Sequence, residues 1–501
     1  MSLAARPISR RLIGGLVLIL ANSIPPAGAT GSIDPALPTY RAGSRVTLPL
    51  NSIGDGAMKA LMTAWFDDYR QHQPQAQRGR WEHDSDALAI GALMFELADI
   101  APMTREWQAA ETAPYAHQFA GDMMKTPWNL RVATRGGQAV YLTTNRRPGS
   151  PLPPAVREFM GYALSREGQA VVAEQAAFES LPAALAAQER VRLEGFVATL
   201  DPALMIYRAQ RSVSGEIRSV GSDGMKSLLD RWLREFRRLQ PGVQAGSRWE
   251  HLGTLNGFHA LLTRQTDLAP MGRELWAAEL AAYRATQGSA APLEIRVARG
   301  GYNTPQRTTA QAIFVHAGNP LAGLTMAQLA EILGQGGAIT RWGQLGLTGE
   351  WAQRPIRIFM PPRVAPNATS MQLMVLKGAP WADGVQEGAI AQTAQAIAAE
   401  PGAIGFGGFE EGGPGLKTLA VARDATGPFI EGDAANASSG RYPLTRFMYI
   451  RLNRPTGSAI APQVREFLRY VLSREGQEPI LTSGYFPLSA AEVAEELAKL
   501  D

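Results

Sequence analysis

The chain has 501 residues, 45% of them hydrophobic and 19% charged, with a formal net charge of +4 and no cysteine. That length admits two to four domains and a sizeable core. The lack of cysteine excludes disulfides, thiolate metal sites, a cysteine nucleophile and a lipid-bearing cysteine, and a small net charge without like-charge runs argues against a nucleic-acid groove.

The first 29 residues read as a signal peptide. Arg6, Arg10 and Arg11 form a positive head, residues 12–21 an apolar stretch short for a permanent span, and Ala27-Gly28-Ala29 a small-x-small cleavage pattern. An uncleaved membrane anchor is the rival reading. No later segment carries eighteen uninterrupted apolar residues. The mature chain, starting near Thr30, is therefore expected to be periplasmic, without stable membrane insertion.

After a lead-in at 31–44, residues 45–50 read as a short strand despite Pro49, and 51–56 as a glycine-containing turn. Met58, Leu61, Met62, Trp65, Phe66 and Tyr69 fall at helical spacing, predicting an amphipathic helix over 58–69 that ends before Pro74. A second helix is expected over 87–97 and a strand at 99–101, with room for another strand between the helices. This order predicts an α/β domain with parallel strands. The same order recurs as strand 217–220, turn Gly221-Ser222-Asp223-Gly224 and a helix over 225–239 stopped by Pro241.

The recurrence is a true internal repeat. Trp81-Glu82-His83, followed by Asp99-Ile100-Ala101-Pro102-Met103-Thr104-Arg105, returns 168 positions later as Trp249-Glu250-His251 and Asp267-Leu268-Ala269-Pro270-Met271-Gly272-Arg273. A second repeat has a shift of 308: Val156-Arg157-Glu158-Phe159 through Ser165-Arg166-Glu167-Gly168-Gln169 returns as Val464-Arg465-Glu466-Phe467 through Ser473-Arg474-Glu475-Gly476-Gln477. The second copy thus holds about 140 extra residues, very roughly 311–447. The expected layout is a single α/β lobe over 30–190, a linker over 191–213, and over 214–501 the same lobe with another α/β lobe inserted. Two lobes joined by two chain crossings make a hinge and a cleft, the usual place for a small ligand.

The segment Gly323-Leu324-Thr325-Met326-Ala327-Gln328-Leu329 with Ile339-Thr340-Arg341-Trp342, then Pro401-Gly402-Ala403-Ile404-Gly405-Phe406, then 464–477, resembles the PstS-like phosphate-binding periplasmic proteins of ABC importers. The resemblance covers 214 to about 490, in order, and for 45–190 only one lobe of the same fold. It implies a Venus-flytrap (type II periplasmic-binding-protein) fold preceded by one extra lobe, inorganic phosphate or a similar oxyanion as ligand, and an ABC permease as partner. By position it assigns the anion to Ser222, Asp223 and Gly224, to Thr254, and to Arg363 with Asn367, Ala368 and Thr369; Arg273, which closes the repeated stretch, is a further expected ligand. A turn that opens a helix suits an oxyanion because its N–H groups are free, and an arginine supplies a bidentate pair. The chain departs from the family at Gly272, where relatives carry Asp or Ser against the anion, and at Asp223, where Thr is usual. In the first copy Thr254 is matched by Asp86, so that copy is expected to have lost anion binding.

Other readings are structural. Trp81 and Trp249 are expected to pack a helix on the sheet, and His83 and His251 to make structural hydrogen bonds rather than hold a metal. No nucleophile–base arrangement stands out, so neither an enzyme nor a cofactor is expected. The alternative function is a non-transport envelope scaffold or sensor that keeps the fold with an altered cleft.

Overall fold

The computed structural model describes residues 33–108, 110–111, 126–146, 151–288, 291–302, 308–413, 415–454 and 459–500. The expected signal peptide lies outside them. Among the described residues, no helix is long and apolar enough to cross a membrane.

The first strand is Pro49–Gly54, later than the expected 45–50, because parallel pairing with Gln77–His83 fixes its register from Pro49↔Gln77 to Gly54↔His83. Proline is tolerated as the opening residue of a strand, where its missing N–H breaks no interior rung. A 3-10 turn, Gly56–Met58, leads into the helix Lys59–His72. Its buried Leu61, Met62, Trp65, Phe66 and Tyr69 form the stripe read from the sequence.

The sheet of the first unit runs in the order Gln77–His83, Pro49–Gly54, Ala101–Met103, Gln138–Arg146, Thr126–Arg135. The three strands expected around the two helices pair in parallel, and the sheet is mixed because two further strands join it. Pro49–Gly54 pairs in parallel on both sides, but Thr126–Arg135 turns straight back into Gln138–Arg146 as an antiparallel hairpin. The turn is Gly136-Gly137, with φ of 56° and 77°, the left-handed pair that a two-residue hairpin requires.

The second unit repeats this sheet strand for strand: Gly242–His251, Ser214–Gly221, Ala269–Met271, Phe447–Leu452, Leu293–Arg299. The outer antiparallel pair is again present, from Phe447↔Arg299 to Leu452↔Leu293. Between Arg299 and Phe447, however, the glycine turn is replaced by a whole lobe. That lobe holds a five-stranded sheet ordered Gln386–Glu387, Arg357–Met360, Ala403–Gly408, Gln311–His316, Leu416–Thr418. The helices Met326–Leu333, Pro366–Met374 and Ile390–Ala399 belong to the same lobe.

Three large hydrophobic cores follow this division: one within residues 37–193, one built from 204–298 and 448–500, and one mainly from 310–444. In the first two, matched tryptophans do the same task. Trp65 and Trp232 are fully buried, and each indole N–H donates to a glycine carbonyl, Gly168 at 2.7 Å and Gly476 at 2.6 Å. The repeat also begins earlier than the sequence reading placed it. Asp34-Pro35-Ala36-Leu37 matches Asp201-Pro202-Ala203-Leu204. Asp34 accepts from the N–H of Ala183, and Asp201 from that of Ala490, both at 2.9 Å. Tyr40 and Tyr207 donate to Glu158 and Glu466 at 2.8 and 3.0 Å. Most of the expected linker is therefore docked into the second unit.

His83 and His251 sit in matched places under the sheet, on Ser52 at 2.9 Å and Ser219 at 3.0 Å. Burial pushes both imidazoles down to about 4. Both are neutral in the fold, and protonation favours the unfolded chain, whose histidines titrate near 6.5. Their contribution is complete above pH 6.5 and is lost as pH falls toward 4. Urea midpoints should therefore drop across that window. In the double variant His83→Gln, His251→Gln the slope should flatten, and an unchanged slope would refute the assignment.

Candidate functional site

The site grows from the ends of three strands in the second unit. Ser214–Gly221 ends at Gly221, where an ideal Cβ would fall 2.2 Å from the carbonyl oxygen of Pro270. Only glycine lets the first strand and the Ala269–Met271 strand come this close. The chain then turns at Ser222, whose N–H donates to Pro270 O at 2.8 Å, and enters the 3-10 turn Asp223–Met225 and the helix Lys226–Leu239. Ser222 is buried, while Asp223 is exposed and Gly224 half-buried. Next to it, Gly253 with φ of 136° starts the helix Thr254–Leu262, and Thr254 Oγ1 accepts from the N–H of Gly272 at 3.4 Å. Ser222, Thr254 and Gly272 thus meet at one end of the sheet.

The inserted lobe contributes the helix Pro366–Met374. Ala368 lies in its buried first turn. Thr369 Oγ1 receives the indole N–H of Trp276, from the other lobe, at 2.8 Å. The Asn367 amide is shared three ways: its Oδ1 accepts from Gln311 Nε2 at 3.0 Å and Arg446 Nη1 at 3.2 Å, and its Nδ2 donates to Glu411 at 3.3 Å. Asn367 and Thr369 therefore face the first lobe, as expected of the second half of a cleft.

Both predicted arginines are elsewhere engaged. Arg273 is buried, with its guanidinium bound bidentately to Glu279 at 2.7 Å, donating to Glu274 O at 2.8 Å and stacked on Trp276 at 3.8 Å. Its role is to hold the loop, because removing a buried ion pair's partner is far costlier than lending it to a solute. The first copy repeats this as Arg105 on Glu111 and Asp86. Arg363 stands at the surface, its Nε on Glu387 at 2.7 Å and its N–H on the same carboxylate at 2.9 Å. That pair holds Glu387 below the usual carboxylate range, the backbone bond contributing most.

The cation inside the joint is Arg446, which sequence reasoning missed. It is 2% exposed and bridges the lobes, with Nη1 on Asn367 and Nη2 on Glu274 at 3.3 Å, while its buried Nε has no hydrogen-bond partner among the described residues. Thr308 and Trp276 were missed as well. One signal for Arg446 was available: it stands directly before the Phe447–Leu452 strand, where the first copy has Gln138.

The first copy builds the same turn with a carboxylate in it. Asp55 stands where Ser222 does, and its carboxylate accepts from the N–H of Ala57 at 2.9 Å and from the hydroxyl of Thr104. The protein's own carboxylate thus occupies the start of the turn. Asp86, matching Thr254, is held by Arg105 at 2.7 Å. The tryptophan and histidine readings agree with the structure: Trp81 and Trp249 pack against their cores, and Trp249 donates to Asp230 at 2.7 Å. Among the described residues there is no cluster of metal-ligating side chains.

A mixed α/β lobe interrupted by a second lobe, with hydroxyls and amides facing each other across the joint, defines the periplasmic-binding-protein class. Residues 208–475 match the model of the PBP superfamily domain. Phosphate-binding protein PstS from two strains of Pseudomonas aeruginosa is 34% identical over 310 residues, covering 60% of this chain and 92% of that protein. An ABC-type phosphate transport receptor from Vibrio cholerae aligns with 19% identity, 54% of this chain, all of that chain and a TM-score of 0.36. The chain belongs to the PstS-like family of the PBP superfamily.

Glu279→Ala would leave the Arg273 guanidinium buried and unpaired, at a cost of roughly 3–5 kcal/mol. Urea unfolding should show that loss. A change below about 1 kcal/mol would return Arg273 to the candidate ligands.

Proposed function

We propose that the protein is a periplasmic solute-binding protein that holds phosphate or a related oxyanion between its two C-terminal lobes and delivers it to an ABC importer. The observation carrying this reading is the 34% identity to a phosphate-binding protein over 92% of that protein's length, joined to the meeting of Ser222, Thr254 and Gly272 opposite Asn367 and Thr369. The hydroxyls donate single hydrogen bonds to a dehydrated anion. The N–H groups at the start of Asp223–Met225 and Lys226–Leu239 add a favourable dipole. The positive charge comes from Arg446 within the joint, or from Arg363 if it leaves Glu387 when the anion enters. Ser222, Asp223, Gly224, Thr254, Asn367, Ala368 and Thr369 form the proposed ligand set. The N-terminal lobe, over residues 30–190, takes no anion, since Asp55 and Asp86 place carboxylates at the two matched positions.

A specific observation favours a second reading. Thr369 is bonded to Trp276, Asn367 to three protein groups and Arg363 to Glu387. A cleft whose polar groups satisfy one another suits an envelope scaffold or sensor that no longer carries solute.

Thermal unfolding of the chain from residue 30 with phosphate, sulfate and other oxyanions separates the two. An anion at 100 times its Kd should add about 2.7 kcal/mol, seen as a clear rise in Tm. No rise with any of them would leave the scaffold reading standing.

A further inference from the structure

We propose that Thr308 supplies the side chain that Gly272 lacks and so sets which oxyanions the cleft accepts: a neutral acceptor that prefers hydrogenphosphate over sulfate only modestly. This rests on the anion-binding reading above.

A side chain at Gly272 would have to displace Thr308. An ideal Cβ there would lie 2.9 Å from Thr308 Oγ1, 3.4 Å from Met448 Cε and 3.6 Å from Ser222 Oγ. Thr308 and Ser222 therefore flank the very point a residue-272 side chain would fill. Thr308 is locked: its hydroxyl donates to Gly272 O at 2.6 Å. Having spent its one proton there, its oxygen has only lone pairs left to offer. The first copy gives an internal precedent, since Thr104 stands at the matched position and its hydroxyl bonds the Asp55 carboxylate.

Three nearby carboxylates are engaged, and the exposed Asp223 joins the ligand set through its backbone N–H. Glu279 holds Arg273, Glu274 accepts from Arg446 and Tyr449, and Glu411 accepts from Asn367. A carboxylate against a dianion demands a proton between them and would repel sulfate. A hydroxyl oxygen carries no charge. It accepts the P–O–H of hydrogenphosphate directly. For sulfate it must rotate and abandon the Gly272 carbonyl, which loses about one hydrogen bond, or roughly tenfold in affinity.

Calorimetry at pH 7 with inorganic phosphate and sodium sulfate tests this on the wild type, Thr308→Val and Thr308→Ser. The wild type should bind phosphate about tenfold tighter than sulfate. Thr308→Val, equal in shape, should weaken phosphate about tenfold and change sulfate less than about twofold, while Thr308→Ser should keep the wild-type ratio. If Thr308→Val fails to fold, a wild-type ratio above about 100, or a ratio altered by Thr308→Ser, still overturns the inference. So does a ratio that Thr308→Val leaves intact. Failure of the wild type to bind either anion would instead overturn the anion-binding reading, and this inference with it.

Discussion

Everything at the cleft depends on one antiparallel pairing, that of Leu293–Arg299 with Phe447–Leu452. In the N-terminal unit the same pair is a closed hairpin with a two-glycine turn. In the C-terminal unit the chain leaves after Arg299, builds a second lobe and returns at Phe447 in register. The exit is pinned hard: Arg299 exchanges backbone hydrogen bonds with Phe486 at 2.8 and 3.0 Å and carries a buried ion pair to Glu492. Because exit and return lie side by side on one sheet, the inserted lobe is tethered at a single edge. Relative motion is then confined to that edge, the condition for hinge closure.

The two copies divide what this geometry can do. The scaffold pairs are common to both: tryptophan on a glycine carbonyl, histidine on serine, arginine on glutamate. The differences gather at the strand ends. Asp55 stands at the position of Ser222, Asp86 at that of Thr254, Thr104 at that of Gly272 and Gln138 at that of Arg446. In the first copy each carboxylate meets a donor from its own lobe, so the strand end is satisfied without a partner lobe or a solute. In the second copy the carboxylates are absent, and hydroxyls and an amide look across the joint instead.

The fold class was legible because helical spacing and repetition are local signals: Trp65 and Trp232, or Asp99 and Asp267, announce themselves without knowledge of contacts. Parallel pairing was legible for the strands that alternate with helices over 45–103. The outer hairpin, turning at Gly136-Gly137, was not read from the sequence. The pairing of residues 34–37 and 201–204 was visible as identity in the sequence but lay in stretches read as lead-in and linker. In the site, Ser222 and Thr254 were legible because each sits where a strand ends and a helix begins. Arg273 and Arg363 could not be placed from the sequence, since what decides them is a nearby carboxylate, Glu279 or Glu387. Thr308 joins Gly272 only through folding, across a separation no local pattern records.

The joint is also nearly self-sufficient. Trp276, stacked on the Arg273 guanidinium, reaches across to Thr369, and Arg446 spans from Glu274 to Asn367. An entering anion therefore exchanges bonds rather than filling empty ones, and only the difference counts toward affinity. A buried donor without a partner shifts that difference toward the anion, and among the described residues Arg446 Nε is such a group, while Gln311 Oε1 is an acceptor left over beside Asn367. A donor and an acceptor held unsatisfied in the same joint keep it from being a finished core. At the matched strand end of the N-terminal lobe, Asp55 and Asp86 each already meet a donor from their own lobe.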